Sequence, residues 1–290
     1  MKYLLFLGCV IPYRVLSYEI SARKILAEFG VELIDMPNFN CCGFPLEAIN
    51  YEATLVLAAR NLCIAEEEGL SILALCNGCS ETLYLVNKKL KESKELREKV
   101  NDFLSNIGME FKGKIEVKHL ARVLYEDIGV ERIKKKVVNP LSELVVAQHG
   151  GCHLFRPVKH IQFDDPDNPV KFKSLIEATG AKCVSYPDES QCCGGPISGI
   201  ESKLALQLVA DKLKRIKGVG AQALITVCPY CHLMYDSMQK MAEREAGEEF
   251  GIPVLHYPQL LGLAMGMDPK ELAIDMLKVK ATKILEIISK

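Results

Sequence analysis

The sequence has no excess of charge of either sign: Lys and Arg number 36 against 37 Asp and Glu, a net charge of −1. That balance produces no field to attract nucleic acid or an anionic membrane. Nowhere do about eighteen uncharged apolar residues run together, the length a bilayer-spanning helix needs. Also missing are a Rossmann glycine fingerprint, a P-loop and a ferredoxin run of closely spaced cysteines. Any electrons the chain handles must therefore come from a partner. The apolar start, Tyr3 to Val10 behind Lys2, is broken at once by Pro12 and Arg14, so it reads as a first buried strand and not as a secretion signal. A soluble, cytoplasmic protein is expected.

What the chain does have is cysteine, twelve in 290 residues. In a reducing compartment such cysteines serve more often as metal ligands or redox groups than as structural disulfides. Their order repeats. Cys9, Cys41-Cys42, then Cys76 and Cys79 is answered by Cys152, Cys192-Cys193, then Cys228 and Cys231. The flanks repeat too: an apolar run closes on Gly8-Cys9 and on Gly151-Cys152. Cys41-Cys42-Gly43-Phe44-Pro45 answers Cys192-Cys193-Gly194-Gly195-Pro196, and Leu73-Ala74-Leu75-Cys76 answers Ile225-Thr226-Val227-Cys228. His119-Leu120 and His256-Tyr257 match as tails, each after a short apolar strand-like run. This is an internal duplication, with halves expected at 1–139 and 140–290.

Apolar runs of strand length near 3–8, 31–35, 71–75, 144–148, 181–185 and 222–227 alternate with helical periods over 17–29, 47–67, 79–98, 200–217 and 231–246. The expected fold class is α/β: two tandem domains related by pseudo-twofold symmetry, each a mostly parallel sheet with flanking helices. A last amphipathic helix is expected from Asp268-Pro269 almost to Lys290. In this arrangement every cysteine of the two sets falls at the carboxyl end of a strand or in the loop after it, where open α/β sheets place their sites.

A Cys-x-x-Cys pair alone is a weak signal, and Cys228-Pro229-Tyr230-Cys231 in isolation reads as a glutaredoxin-type dithiol. Structural zinc is the blander alternative, but it takes four ligands, and five cysteines per set leave one over. The adjacent pairs are more telling. Neighbouring residues in an extended chain point opposite ways, so they reach two metal atoms more easily than one. Gly43 and Gly194 allow the turn that brings backbone amides to sulfur. Four thiolates satisfy an ordinary cubane; a fifth implies a larger or more open cluster, or a cysteine held in reserve.

These residues resemble two copies of the cysteine-rich CCG domain, over nearly the whole chain, and within that group the B subunits of methanogen heterodisulfide reductases. The resemblance implies one noncubane 4Fe-4S cluster on Cys9, Cys41, Cys42, Cys76 and Cys79, and a second on Cys152, Cys192, Cys193, Cys228 and Cys231. It further implies reduction of the disulfide of coenzyme M and coenzyme B between the two clusters. The implied partners are a ferredoxin-like iron-sulfur subunit, a flavin-containing subunit and a hydrogenase in a larger assembly. A substrate anionic at both ends calls for basic groups near the clusters: Arg14, Arg156 and Lys159 for binding, and His153 as the catalytic candidate, since Val10 stands in its place in the first half. A CCG electron carrier within another oxidoreductase and a zinc scaffold remain the alternatives. His119, His232 and His256 read as structural, and Cys63 and Cys183, which have no counterparts, as buried apolar residues.

Overall fold

The computed structural model describes residues 1–289. Two four-stranded sheets repeat one topology. The first has strands β1 (Lys2–Phe6), β2 (Glu32–Asp35), β3 (Ile72–Ala74) and β4 (Val117–His119) in the order β2-β1-β3-β4. The second has β5 (Val145–His149), β6 (Lys182–Val184), β7 (Ala223–Thr226) and β8 (Val254–His256) in the order β6-β5-β7-β8. All pairings are parallel. The inner strands read as uninterrupted apolar runs because helices cover both faces. The six expected strands are present, and β4 and β8 are two further ones of three residues, each ending on a matched histidine.

The strand order decides where the cysteines go. From β1 the chain moves first to one side, to β2, and then crosses to the other, to β3. The connections therefore diverge between β1 and β3, leaving the crevice that this topology opens at the carboxyl ends of its strands. Cys9 follows β1 and Cys76 follows β3, so both flank it; Cys152 after β5 and Cys228 after β7 do the same in the second sheet.

Two expected helices are interrupted. The run predicted over 79–98 is two helices, Asn77–Glu92 and Lys94–Ser105, parted at Ser93, whose hydroxyl accepts the Leu96 amide at 3.2 Å and caps the second. The run predicted over 231–246 starts as Pro229–His232, passes through a π-turn at Leu233–Ser237 and resumes as Gln239–Ala246. That turn places the Asp236 carboxylate inward. Its oxygens accept the amides of Lys278 and Val279 at 2.9 and 3.0 Å.

This explains the largest departure from the sequence reading. The expected C-terminal helix from Asp268 is absent; a short 3-10 turn, Ile274–Met276, and a separate helix, Thr282–Ile288, stand in its place. The buried Gln259 amide donates to the Leu272 carbonyl at 3.1 Å, and Asp236 takes the amides at 278 and 279. Two buried side chains thus satisfy backbone groups that a helix would have paired internally. Lys290, where the expected helix ended, lies outside the described residues.

The two halves share a core. Leu5, Tyr18, Leu73 and Leu124 from the first pack in one apolar cluster with Val146, Ile225, Tyr257 and Leu261 from the second, while each sheet keeps a smaller cluster on its other face. Tyr18 ties the halves directly: its hydroxyl donates to the Val227 carbonyl at 2.8 Å, and its ring stacks on His256 at 3.9 Å. His256 stacks in turn on His232 at 4.0 Å. Tyr18→Phe keeps the stack and loses the bond, so it should cost about 1 kcal/mol, read as a lowered midpoint in anaerobic denaturant unfolding.

Candidate iron-sulfur centre

The cysteines of the two sets are placed by different local devices. Gly43 and Gly194 adopt left-handed φ values of 93° and 78°, and the turn aims amides back at sulfur. Gly43 N–H donates to Cys41 Sγ at 3.5 Å, Phe44 N–H to Cys42 Sγ at 3.5 Å, and Gly194 N–H to Cys192 Sγ at 3.4 Å. Such bonds stabilise thiolate and offset the charge of a sulfur-ligated metal. Cys76 caps the helix Asn77–Glu92, with Cys79 in its first turn, and Cys228 caps Pro229–His232. The free amides there favour the anion.

The ten cysteines converge. Thiol-to-thiol contacts run in one row: Cys41 to Cys42, to Cys79, to Cys76, across to Cys228, then Cys231, Cys193, Cys192 and Cys152. Cys9 stands exposed at the first end, where it lines with Cys41 a cleft of about 510 Å³. The sets therefore meet at Cys76 and Cys228, the helix-capping cysteine of each. Cys63 and Cys183 lie elsewhere, buried in the apolar clusters, where desolvation pushes both thiols up to about 12.

Three thiols of the row are drawn toward thiolate by neighbours whose own thiols are raised in return. Cys42 is pulled down to about 4, chiefly by the Cys41 thiol donating to it and then by Cys79. Cys192 is pulled down to about 2 by Cys152 and Cys193 in the same way, and Cys228 is lowered by Cys231 and Cys76. Burial opposes all three. Among the described residues no three His, Cys, Asp or Glu side chains gather round a single-ion position. Structural zinc takes four donors, and each set offers five thiols.

Room at the sulfurs is kept by glycine. A Cβ on Gly8 would lie 2.8 Å from Cys79 Sγ, and one on Gly151 would lie 3.3 Å from Cys231 Sγ. These are equivalent positions in the duplication, each before the first cysteine of its set and against the last. The donor chemistry, the amides and this clearance together fit cysteine-ligated iron-sulfur.

The symmetry breaks around the row. His153, in the short turn Cys152–Leu154, sits at the seam of the halves: its ring meets Phe44 edge-on at 4.8 Å and its Nδ1 lies 3.6 Å from the Glu81 carboxylate. Burial disfavours the imidazolium, but Glu81 outweighs burial and raises its pKa. Glu81 is itself buried, and its Oε2 makes no hydrogen bond among the described residues. Asn77 also crosses the seam, donating to the Gly150 carbonyl at 2.6 Å. Arg156 pairs with Asp167 at 3.4 Å and lines a narrow recess with Gly151 and Cys152. Arg14 and Lys159 are exposed and make no ion pair among the described residues. Asn77 and Glu81 were missed from sequence, although Asn77 stands between two of the ligand candidates; neither type announces a contact across a domain seam.

No helix among the described residues is long and apolar enough to cross a membrane. The CCG cysteine-rich domain family matches residues 3–84 and 146–236. The chain is 38% identical to the B subunit of a ferredoxin/F(420)H(2)-dependent CoB-CoM heterodisulfide reductase from Methanosarcina acetivorans, over 98% of this chain and 96% of that one. It is 32% identical to an 8-methylmenaquinol:fumarate reductase membrane anchor subunit of Wolinella succinogenes, over 98% and 99%. The crystal structure of a hypothetical protein from Helicobacter pylori superposes with a TM-score of 0.78 at 19% identity, over 97% of this chain and 52% of that one, a likeness of fold. With two matched domains and relatives aligned end to end, the chain belongs to the CCG family, among the heterodisulfide reductase B subunits and their relatives.

Proposed function

We propose that the chain is the catalytic iron-sulfur subunit of a heterodisulfide reductase, cleaving the disulfide of coenzyme M and coenzyme B to two thiols with two noncubane 4Fe-4S clusters. The observation that carries the reading is the single row of sulfurs, in which both five-cysteine sets meet at Cys76 and Cys228. Breaking a disulfide takes two electrons and two protons. When bound, the two clusters supply electrons one at a time from neighbouring positions.

The chain's own residues do the rest. Cys9, Cys41, Cys42, Cys76 and Cys79 hold one cluster, and Cys152, Cys192, Cys193, Cys228 and Cys231 the other, with the amides of Gly43, Phe44 and Gly194 hydrogen-bonded to sulfur. His153, with the Glu81 carboxylate 3.6 Å from its Nδ1, gives a proton to a departing thiolate. Arg156, which lines the recess beside Cys152, and the exposed Arg14 and Lys159 orient the anionic ends of the substrate. The cleft beside Cys9 and Cys41 has the volume of a small-molecule site.

Electrons arrive from outside, through a ferredoxin-like subunit fed by a flavin-containing subunit and a hydrogenase in a cytoplasmic assembly. The kinship with a fumarate reductase subunit favours one second reading, an electron-transfer subunit of another oxidoreductase. A turnover assay decides between them. Anaerobically purified protein with reduced viologen should reduce the coenzyme M-coenzyme B disulfide; iron-loaded protein that passes electrons but leaves the disulfide intact is a carrier.

A further inference from the structure

The most unusual side chain outside the cysteine row is Lys212, which is 0% exposed. It lies on the inward face of the helix Ser202–Gly218, in register with the buried Ala205, Val209 and Ile216. Its ammonium donates to the carbonyls of Asp188 and Glu189 at 3.0 and 2.8 Å and lies 3.4 Å from His149 Nδ1, with the Tyr186 ring 5.5 Å away. The ion pairs of this helix are made by Lys214, Arg215 and Lys217, and among the described residues Lys212 has no carboxylate within ion-pair reach. Its charge is met by the carbonyls of Asp188 and Glu189, with the second set's Cys231 and Cys193 and the Glu189 carboxylate as the acidic groups acting on it. Burial lowers its pKa to about 8, while the neighbouring Cys231 and Cys193 sulfurs and then the Glu189 carboxylate act against that fall, so the ammonium form prevails at neutral pH.

The first half shows that a charge is not needed to build this corner. Gly43 packs on Thr54 as Gly194 packs on Ala205, which sets residues 54, 58, 61 and 65 against 205, 209, 212 and 216. Asn61 stands where Lys212 does, also 0% exposed. Its amide accepts from Asn40 N–H at 2.9 Å and donates to the Cys41 carbonyl at 3.2 Å, strapping the loop before the cysteine pair just as Lys212 straps 188–189. A neutral amide does the structural task in one half, and a desolvated cation, which is costly to bury, does it in the other.

We propose that Lys212 is a fixed charge that makes the iron-sulfur centre of the second half easier to reduce than that of the first, so that the first electron to arrive settles there. The inference rests on the reading of one centre per half given above. Reduction adds negative charge to a centre, and a cation held in a low-dielectric surrounding stabilises the reduced form more than the oxidised one. Lys212 is thus a positioning residue for charge and touches no substrate.

The test is a redox titration of the whole anaerobic protein, followed by EPR and absorbance with iron content measured alongside. The unaltered protein should show two unequal centres, the higher-potential one missing from Cys192→Ala and retained in Cys41→Ala. Lys212→Gln keeps a donor for the two carbonyls and removes the charge. It should lower the higher-potential centre alone, by at least tenfold in its one-electron equilibrium, about 59 mV, while Lys212→Arg holds it. Unchanged potentials in Lys212→Gln, or a higher-potential centre that survives Cys192→Ala, overturn the proposal. If Lys212→Gln loses iron, the Cys192→Ala and Cys41→Ala titrations alone decide. Unaltered protein without two centres would instead refute the reading on which it rests.

Discussion

Alanine at Cys193 is expected to leave about four irons per chain in place of about eight and to lower disulfide turnover by ~10³ or more. Cys193 is 5% exposed and stands between Cys192 and Cys231 in the row. Its loss opens the second set in the middle, and groups that act as a unit fail together. The matched control is Cys183→Ala. Cys183 is equally buried, 5% exposed, but packs in the shared apolar core away from the other sulfurs. It should keep full iron and turnover, and cost roughly 1 kcal/mol of stability for the lost sulfur contacts. Iron analysis and the viologen-coupled assay on both variants separate a ligand from a core residue of the same type and burial.

The second large effect is expected where no ligand is touched. Gly8→Ala should empty the first half of iron while leaving the second half loaded. Gly8 has φ +66°, and the added methyl would lie 2.8 Å from Cys79 Sγ. The left-handed backbone costs an alanine roughly 1–2 kcal/mol, and the overlap must be relieved by moving either Cys79 or the loop that carries Cys9. Gly30→Ala separates these causes. It has nearly the same φ, +71°, with nothing within 4 Å of the new methyl, so it carries the backbone strain without the sulfur. Full iron in Gly30→Ala and about half in Gly8→Ala assigns the effect to crowding at the thiolate.

Much of this organisation was legible in the order of residues. The repeated cysteine spacing, with apolar runs ending at Cys9 and Cys152, locates β1 and β5 because a buried parallel strand needs little beyond a continuous apolar stretch. The same runs before Cys76 and Cys228 locate β3 and β7, and parallel connection then brings Cys9 and Cys76 to one edge of the first sheet and Cys152 and Cys228 to the same edge of the second. The strands β4 and β8 show only as short apolar strand-like runs before His119 and His256, and being three residues long they owe their pairing to β3 and β7 already in place.

The C-terminal segment misled for a different reason. Its helical period is real, but Asp236 and Gln259, distant in sequence, take up its backbone groups. Lys212 was readable in principle, at the helical spacing of the buried Ala205, Val209 and Ile216. Lysine at such a spacing ordinarily reads as a surface side chain. The contact of Cys76 with Cys228, and His153 against Glu81 and Phe44, follow only from how the halves dock, which no local pattern encodes.

Iron and acid-labile sulfide, measured per chain on anaerobically purified protein, test the central claim most directly. About eight of each are expected, falling to about four when either cysteine set is broken. Zinc in place of iron, or iron without sulfide, would contradict it.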